Sequence, residues 1–238
     1  MRMPFELFVA LRYLFSRRKQ TFIYIISIMS ILGVALGVGA LVVVLGVYNG
    51  LTTDMRDKII GANAHGIVMS YVPAAFQQHP DLVRRVEAVE HVRGATPFIY
   101  TEVMLSAAGG VKGLVLRGID PESAPRVLSM LREIRRGSVA GLKREGTPGI
   151  VIGEELAKRL GIGLGSRVNL LSPSGEKGAT GYSPRIRPFE VVGIFKTGMF
   201  EYDSSLGFIS LAAARDLLGL PSDQISGIEV TVKDVYKA

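Results

Sequence analysis

The strongest pattern in the chain is an uncharged run of apolar residues near its N-terminus. Residues 22–47 contain no Asp, Glu, Lys or Arg, and these 26 residues form a helix long enough to cross a bilayer core of ~30 Å with some tilt. A signal sequence has a shorter apolar core of about 7–15 residues. A soluble core helix normally keeps a polar face. The pattern therefore predicts one transmembrane helix over residues 21–48.

Positive charge is concentrated in the segment that precedes this run. Residues 1–19 hold five basic groups and one acidic group, whereas the whole chain has a net charge of +7. Arg17-Arg18-Lys19 border the run directly, while the charges at 54–58 on its other side cancel. The positive-inside rule thus predicts an inner-membrane protein whose segment 1–20 is cytoplasmic and whose remainder lies outside the cytoplasm. Within that segment, Phe5–Phe15 either lies in the membrane interface as an amphipathic helix or continues the spanning helix.

Glycines in the apolar run recur at a spacing that suits helix packing. Gly33 and Gly37 are four residues apart, as are Gly46 and Gly50. Small residues at this spacing let a second helix approach closely in a membrane, although glycine is also common in membrane helices generally. The pattern favours partner helices around this one.

The remaining residues, 49–238, alternate short apolar strands with short helices and predict a mixed α+β domain. The predicted strands are His65–Tyr71, Phe98–Ala107, Gly113–Ile119, Gly149–Gly153, Arg167–Leu171, Phe189–Thr197, Gly207–Ser210 and Gly227–Lys233. The predicted helices are Asp81–Val92, Ser123–Ile134, Glu154–Leu160 and Leu211–Leu218. Ala108-Gly109-Gly110 is predicted to close a hairpin, and the polar stretch 135–148 to be a loop.

One connection in this domain is unusually long. Residues 172–188 join two predicted strands and are rich in proline and glycine, whereas a hairpin turn needs only 2–5 residues. Long ordered loops often carry function, and the alternative is a disordered excursion. The sequence pattern leaves both interpretations open.

The residues that carry chemistry do not form a recognisable active site. The chain has no cysteine, which excludes disulfides and thiolate metal sites. Three glycines at 161, 163 and 165 follow a predicted helix and precede a strand, the reverse of a dinucleotide-binding motif, and therefore predict a helix C-cap and a turn. His65, His79 and His91 share no metal-ligand spacing, and Glu154-Glu155 open a helix where acidic groups favour its dipole.

These observations predict a chain without catalytic residues, without a metal site and without a bound cofactor. No P-loop sequence is present, so the chain is not expected to hydrolyse nucleotides. Nucleic-acid binding is also disfavoured, because no basic stripe with interleaved aromatic residues lies outside the membrane flank.

Several motifs, in order along nearly the whole chain, resemble those of lipoprotein-releasing permeases of the LolC/LolE type. They are FVALRYL at 8–14, SILGVALGV at 30–38, VYNGL at 47–51, VIGEELA at 151–157, LGI at 160–162, VVGIF at 191–195, TGM at 197–199 and YDSS at 202–205. The resemblance implies a permease subunit that pairs with a second copy or a paralogue and with two separate ATPase subunits, which bind the ATP and Mg²⁺. Such a complex extracts lipoproteins from the inner membrane and passes them to a periplasmic carrier.

The resemblance also implies roles for individual residues. A protruding hairpin hook that enters the carrier would span Pro173–Pro184, with its tip at Thr180-Gly181-Tyr182. A pad beside the hook would comprise Asn169, Arg185 and Arg187, although Ile186 departs from the polar or basic residue expected there. At the outer end of the spanning helix, Val44 and Tyr48 would face lipid or acyl chains. Tyrosine at that depth is equally typical of the interfacial aromatic belt.

Two further interpretations stay open at this point. The first is a related permease of the same superfamily, one that exports drugs or toxins (MacB-like) or regulates cell-wall hydrolases (FtsX-like). These relatives are expected to lack the carrier-binding hairpin. The second is a membrane-anchored periplasmic binding or sensor module.

The resemblance predicts further membrane spans, which gene sequencing can test. A full member of the family has four transmembrane helices, with the large periplasmic domain between the first and the second, so this chain is expected to be an N-terminal fragment. Sequencing beyond the codon for Ala238 should find three further apolar spans. A stop codon with no further span would favour the anchored sensor module instead.

Overall fold

The computed structural model describes residues 5–14, 21–70, 80–178 and 181–235. The chain divides into two compact units, residues 1–56 and 57–238. The first unit contains helix α1 (Phe5–Leu14) and most of helix α2 (Thr21–Ala62). The second unit contains the last turns of α2 and a mixed domain of helices and strands.

Helix α2 matches the predicted apolar helix and extends beyond it. Residues Phe22–Arg56 form the one described helix that is long and apolar enough to cross a membrane. The described side chains between Phe22 and Gly50 are exposed all around the helix, except Ser27 and Ile28, which are half-buried. The helix continues past Val47 to Ala62 because no proline interrupts residues 21–62 and because the charges at 54 and 58 are opposite and four residues apart. The end of the uncharged run therefore marks a change of composition and not the end of the helix.

The second unit is built on one sheet, whose strands are numbered along the chain. They are β1 (Gly66–Val68), β2 (Val92–Ala107), β3 (Gly110–Ile119), β4 (Ile134–Gly137), β5 (Gly149–Gly153), β6 (Arg167–Gly178), β7 (Gly181–Phe195), β8 (Leu206–Ser210) and β9 (Gly227–Val232). Neighbouring strands follow the order β1-β9-β2-β3-β8-β5-β7-β4, and β6 pairs with both β2 and β7. This mixed sheet confirms the predicted α+β class.

Helices cover both faces of the sheet. They are α3 (Pro80–Glu87), α4 (Ala124–Val127), α5 (Glu154–Leu160), α6 (Phe200–Ser205) and α7 (Leu211–Leu218), with 3₁₀ turns at Ser129–Arg132 and Val139–Lys143. Because strand side chains alternate between faces, the central strands β3, β5 and β8 contribute to two separate cores. On one face, Leu116 and Ile152 are fully buried in a cluster that includes α5 and α7. On the other face, Val151 and Phe208 are buried in a cluster that includes α4 and both 3₁₀ turns.

Elements with strong local signals lie where the sequence predicts them. The predicted helices Glu154–Leu160 and Leu211–Leu218 are confirmed at both ends, and each ends at a glycine with positive φ, Gly161 and Gly219. The β2–β3 hairpin closes at Ala108-Gly109 with Ala107 paired to Gly110. The strands predicted over Gly149–Gly153 and Gly207–Ser210 are also confirmed, and the strand predicted over Gly227–Lys233 is confirmed up to Val232.

Two predicted helices and the loop over 135–148 are wrong in part. The helix predicted over Asp81–Val92 ends at Glu87, because Val92 pairs with Val232 of β9 instead. The helix predicted over Ser123–Ile134 breaks at Leu128, whose backbone is extended and whose side chain is fully buried. The loop predicted over 135–148 contains most of β4 and the second 3₁₀ turn.

Two predicted strands and one helix differ as well. The strand predicted over His65–Tyr71 is confirmed only at Gly66–Val68, and Tyr71 lies outside the described residues. The strands predicted over Arg167–Leu171 and Phe189–Thr197 are parts of the longer β6 and β7. Helix α6 was not predicted, since its six residues are too few to show a helical period.

One close approach between elements in this unit is at Gly153, where β5 meets α6. A Cβ added at Gly153 would lie 2.1 Å from the carbonyl oxygen of Asp203. Gly153→Ala should therefore lower the free energy of unfolding by roughly 1–3 kcal/mol, because backbone atoms must move apart. Thermal or denaturant unfolding of the full chain measures this change.

Gly113→Ala is the matched control for that substitution. Gly113 lies in β3 with open space around the added Cβ, and alanine restricts the unfolded chain. Its stability should equal or exceed that of the unchanged protein. Equal stability of the two variants would contradict the close approach at Gly153.

Candidate functional site

The connection over 172–188 is a two-stranded ribbon in its described parts. Strands β6 and β7 pair in antiparallel fashion from Arg167 opposite Glu190 to Gly178 opposite Gly181, with an irregular register between Ser172 and Glu176. Proline and glycine in this stretch therefore mark a bulge in a continued hairpin. We use "ribbon" for residues 172–178 with 181–185.

The ribbon begins where the third strand stops. Strand β2 pairs with β6 only at Asn169, Leu170 and Leu171, and the Leu171 pair is the last one on the side of the ribbon. Beyond it, β6 and β7 pair only with each other among the described strands. An isolated two-stranded hairpin is marginally stable in water, so the direction of the ribbon depends on contacts at its base.

The residues predicted for the hook lie along this ribbon. Gly181 and Tyr182 are opposite Gly178 and Lys177, respectively, in the backbone pairing. Pro173 and Pro184 are exposed beside the irregular register. Thr180, predicted at the tip, lies outside the described residues. The contact of this ribbon with a carrier stays a prediction.

The residues predicted for the pad divide between two faces of the sheet. Arg187 lies opposite Leu170, and Arg185 lies opposite Ser172, whereas Asn169 lies opposite Pro188. Since residues directly opposite share a face and neighbours along a strand alternate, both arginines are on the face that α7 covers and Asn169 is on the other. The structure thus brings Arg185 and Arg187 together and separates them from Asn169.

Both arginines contact helix α7. The Nε of Arg187 donates to the Oδ2 of Asp216 at 2.9 Å, and the Nη1 of Arg185 lies 3.5 Å from the backbone oxygen of the same residue. The guanidinium of Arg185 also packs on Gly219, where an added Cβ would lie 2.3 Å from Nη1. Sequence reasoning did not identify Asp216 or Gly219, since both are about 30 residues away from the arginines.

The other face at the base of the ribbon exposes apolar side chains. Met104, Leu171 and Ile186 are consecutive cross-strand partners on β2, β6 and β7. Met104 is 50% exposed and Ile186 is 51% exposed. Ile186, which departs from the expected polar residue of the pad, therefore belongs to an apolar row.

The motifs at 197–199 and 202–205 serve a structural purpose. Asp203 is 2% exposed, and its Oδ1 accepts hydrogen bonds from the backbone nitrogen and hydroxyl of Thr197 at 2.8 and 2.9 Å. Its Oδ2 accepts from the backbone nitrogen of Gly198 at 3.1 Å. This carboxylate fixes the turn that leads from β7 into α6.

Tyr202, the neighbour of Asp203 in α6, forms a hydrogen bond with Asn63, which follows α2. The Nδ2 of Asn63 donates to the phenolic oxygen of Tyr202 at 2.8 Å and lies 3.2 Å from the carbonyl oxygen of Ile59. The side chain of Asn63 thus caps the last turn of α2 and ties it to α6. Ala64, the next residue, packs against the core on the same face of the sheet.

Two further carboxylates of the domain, Glu154 and Glu229, lie beside basic side chains. Glu154 forms ion pairs with Lys196 and Lys158, and the contact with Lys196 is the main cause that lowers the pKa of Glu154. Glu229 is fully buried beside Arg117. Burial raises the pKa of Glu229 although the arginine acts to lower it. The stability that Glu229 contributes is therefore greatest at acidic pH and is lost as pH rises through its folded-state pKa.

No catalytic arrangement emerges from the described residues. They contain no group of three His, Asp or Glu side chains that could hold a metal ion. His65 accepts hydrogen bonds through Nδ1 from the backbone nitrogen of Val232, which is a structural arrangement. His79 lies outside the described residues.

On α2, the predicted packing and lipid-facing residues are open to their surroundings. An added Cβ at Gly33 or Gly37 would meet nothing within 4 Å. Val44 is 62% exposed and Tyr48 is 64% exposed, and their spacing of four places them on one face. Contact of these residues with lipid or with another helix stays a prediction.

Comparison with known proteins places these features in a family. Residues 27–237 match the family described as the MacB-like periplasmic core domain. The lipoprotein-releasing system transmembrane protein LolC of Neisseria meningitidis serogroup B is 31% identical over 236 residues, which are 98% of this chain and 55% of LolC. The protein of the same system named LolE in Haemophilus influenzae is 25% identical over 242 residues, covering 100% of this chain and 57% of LolE.

These matches confirm the resemblance that the motifs predict. The chain spans about half the length of the curated relatives that it matches. Among solved structures, the extracellular domain of the noncanonic ABC-type transporter YknZ from Gram-positive bacteria is similar with a TM-score of 0.47 and 16% identity, over 72% of this chain and 83% of that domain.

The buried carboxylate of Asp203 supplies the test for this region. Asp203→Asn replaces an acceptor with an NH₂ group, so at least one backbone donor loses its partner. The free energy of unfolding should fall by about 1–3 kcal/mol, measured by denaturant unfolding of the full chain.

Glu201→Gln is the control, since it makes the same change of charge at an exposed position two residues away in α6. It should have little effect on unfolding. If Asp203→Asn were no more destabilising than this control, the structural role of the carboxylate would be refuted.

Proposed function

We propose, because the chain belongs to the family of the MacB-like periplasmic core domain, that it acts as a permease subunit of a lipoprotein-releasing system. The observation that carries the proposal is its similarity to LolC at 31% identity over 98% of the chain. The similarity includes both the apolar helix and the mixed domain, so it extends beyond a shared soluble fold. Permeases that export drugs or regulate cell-wall hydrolases are expected to lack such a hairpin. The β6–β7 ribbon therefore favours the lipoprotein-releasing type.

In this proposal, helix α2 crosses the inner membrane with its N-terminus in the cytoplasm. The charges that flank α2 support this orientation, and its exposed apolar side chains suit a lipid environment. The mixed domain then lies in the periplasm. Gly33 and Gly37 face further helices of the complex, and Val44 and Tyr48 face lipid or the acyl chains of the substrate.

The chain itself supplies binding surfaces and no chemistry. ATP and Mg²⁺ bind to separate ATPase subunits, and a second permease copy or paralogue completes the path through the membrane. Removing acyl chains from a bilayer costs about 0.8 kcal/mol for each CH₂ group. A triacylated lipoprotein therefore requires an external energy source and a hydrophobic cavity in which the chains are received.

The ribbon is the part of the domain best suited to meet the periplasmic carrier. It extends beyond the three-stranded part of the sheet, and its backbone pairing continues to Gly178 and Gly181. A projection of this kind reaches a partner without requiring the body of the domain to rearrange, which limits the entropy lost on binding. The proposal assigns carrier contact to the ribbon and lipoprotein extraction to the membrane helices.

Deletion of residues 176–182 tests this assignment. The shortened full chain should lose capture of the purified carrier in a pull-down, because the projecting part of the ribbon is gone, and its unfolding temperature should change little. Replacement of the same seven residues by a Gly-Ser segment of equal length is the companion variant, which separates the effect of sequence from that of length. Undiminished capture by the deletion variant would refute carrier contact through the ribbon.

A further inference from the structure

We infer that Arg185 and Arg187 form a latch with Asp216 and Gly219 that sets the direction of the ribbon. Under this inference the two arginines are positioning residues and act on the carrier only through the ribbon. The consequence for carrier capture rests on the proposed function, whereas the latch itself does not.

The first contact of the latch is a charged pair on the face that α7 covers. Arg187 is opposite Leu170, whose side chain is fully buried in the core beneath α7. The Nε of Arg187 donates to the Oδ2 of Asp216 at 2.9 Å. The guanidinium thus joins the base of the ribbon to an acidic residue in the last turns of the helix.

The second contact is made by Arg185 at the end of the same helix. Gly219 is the C-cap of α7 with φ of 67°, and the guanidinium of Arg185 lies where a Cβ at this position would be. The last carbonyl oxygens of a helix carry partial negative charge that favours a cation. Glycine at 219 therefore satisfies two requirements, since it adopts the left-handed cap and leaves room for the guanidinium.

The latch lies at the boundary of the supported sheet. Arg187 is opposite Leu170, which also pairs with β2, whereas Arg185 is opposite Ser172, one step beyond the last β2 pair. The irregular register begins at that same Ser172. A bulge bends and twists a strand pair, so contacts at this point control the angle at which the ribbon leaves the domain.

The strength of the latch is modest, because its charged groups are partly exposed. The side chains of Arg187 and Asp216 are 44% and 65% exposed. Exposed pairs of this kind typically shift an equilibrium about two- to fivefold. The latch therefore biases the ribbon towards one direction and does not lock it.

The chain contains no cysteine, which allows a direct measurement of this bias. Spin labels at Lys177→Cys on the ribbon and Ala212→Cys on α7 report the distance between the two elements in the full chain, reconstituted in lipid nanodiscs. Asp216→Asn and Arg187→Gln should each broaden the distance distribution. The ratio of molecules at the original spin-label distance to molecules at other distances should fall about two- to fivefold.

Two further variants make the result specific. Arg159→Gln removes an exposed arginine of α5 and should leave the distribution unchanged. Exchange of the pair, Arg187→Asp with Asp216→Arg, should restore the narrow distribution that either single change broadens. A distribution unchanged in both Asp216→Asn and Arg187→Gln would overturn the latch, and so would a failure of the exchanged pair to narrow it.

Carrier capture distinguishes the latch from direct contact. Asp216→Asn should weaken capture about as much as Arg187→Gln, and the exchanged pair should recover it. If Arg187→Gln weakened capture while Asp216→Asn left it intact, the arginine would contact the carrier itself and the latch would be refuted as its role. Absence of capture by the unchanged protein would refute the proposed function, while the distance measurement would still decide the latch.

Discussion

The position at which β2 stops pairing with β6 determines the rest of the candidate site. Up to Leu171 the sheet is continuous, and beyond it two strands continue by themselves among the described elements. A ribbon of two strands does not bury a hydrophobic face of its own. Its direction therefore depends on the first contacts outside the sheet, and α7 provides them through Asp216 and Gly219. Because β2 does not pair with β6 beyond Leu171, the rest of the β6–β7 hairpin projects from the sheet.

Polar and charged side chains of the domain hold its helices and strands together. Asp203 fixes the turn after β7, Asn63 ties the end of α2 to Tyr202 of α6, and Glu154 pairs with Lys196 at the end of β7. Each of these contacts joins two elements within residues 57–238. These described polar residues therefore act in holding the fold together.

Sequence patterns predicted the elements whose signals are local. Helices α5 and α7 have an apolar stripe and a glycine directly after their last residue, and both were located at their ends. The helix predicted over Ser123–Ile134 failed because burial of Leu128 under the sheet overrides helical periodicity. The ribbon showed no strand pattern because proline and glycine interrupt the alternation of apolar and polar residues at its irregular register. The latch escaped prediction because the sequence does not show that residues 185 and 187 meet residues 216 and 219, about 30 positions away.

The account is tested most directly by lipoprotein release from proteoliposomes. Under the proposed function, the protein reconstituted with separate ATPase subunits and a labelled triacylated lipoprotein should release the label to a soluble carrier only when ATP is supplied. The rate should fall to background when residues 176–182 are removed, because the proposed contact between the ribbon and the carrier is then lost. Release at an unchanged rate without the ribbon, or release that does not depend on ATP, would contradict the account.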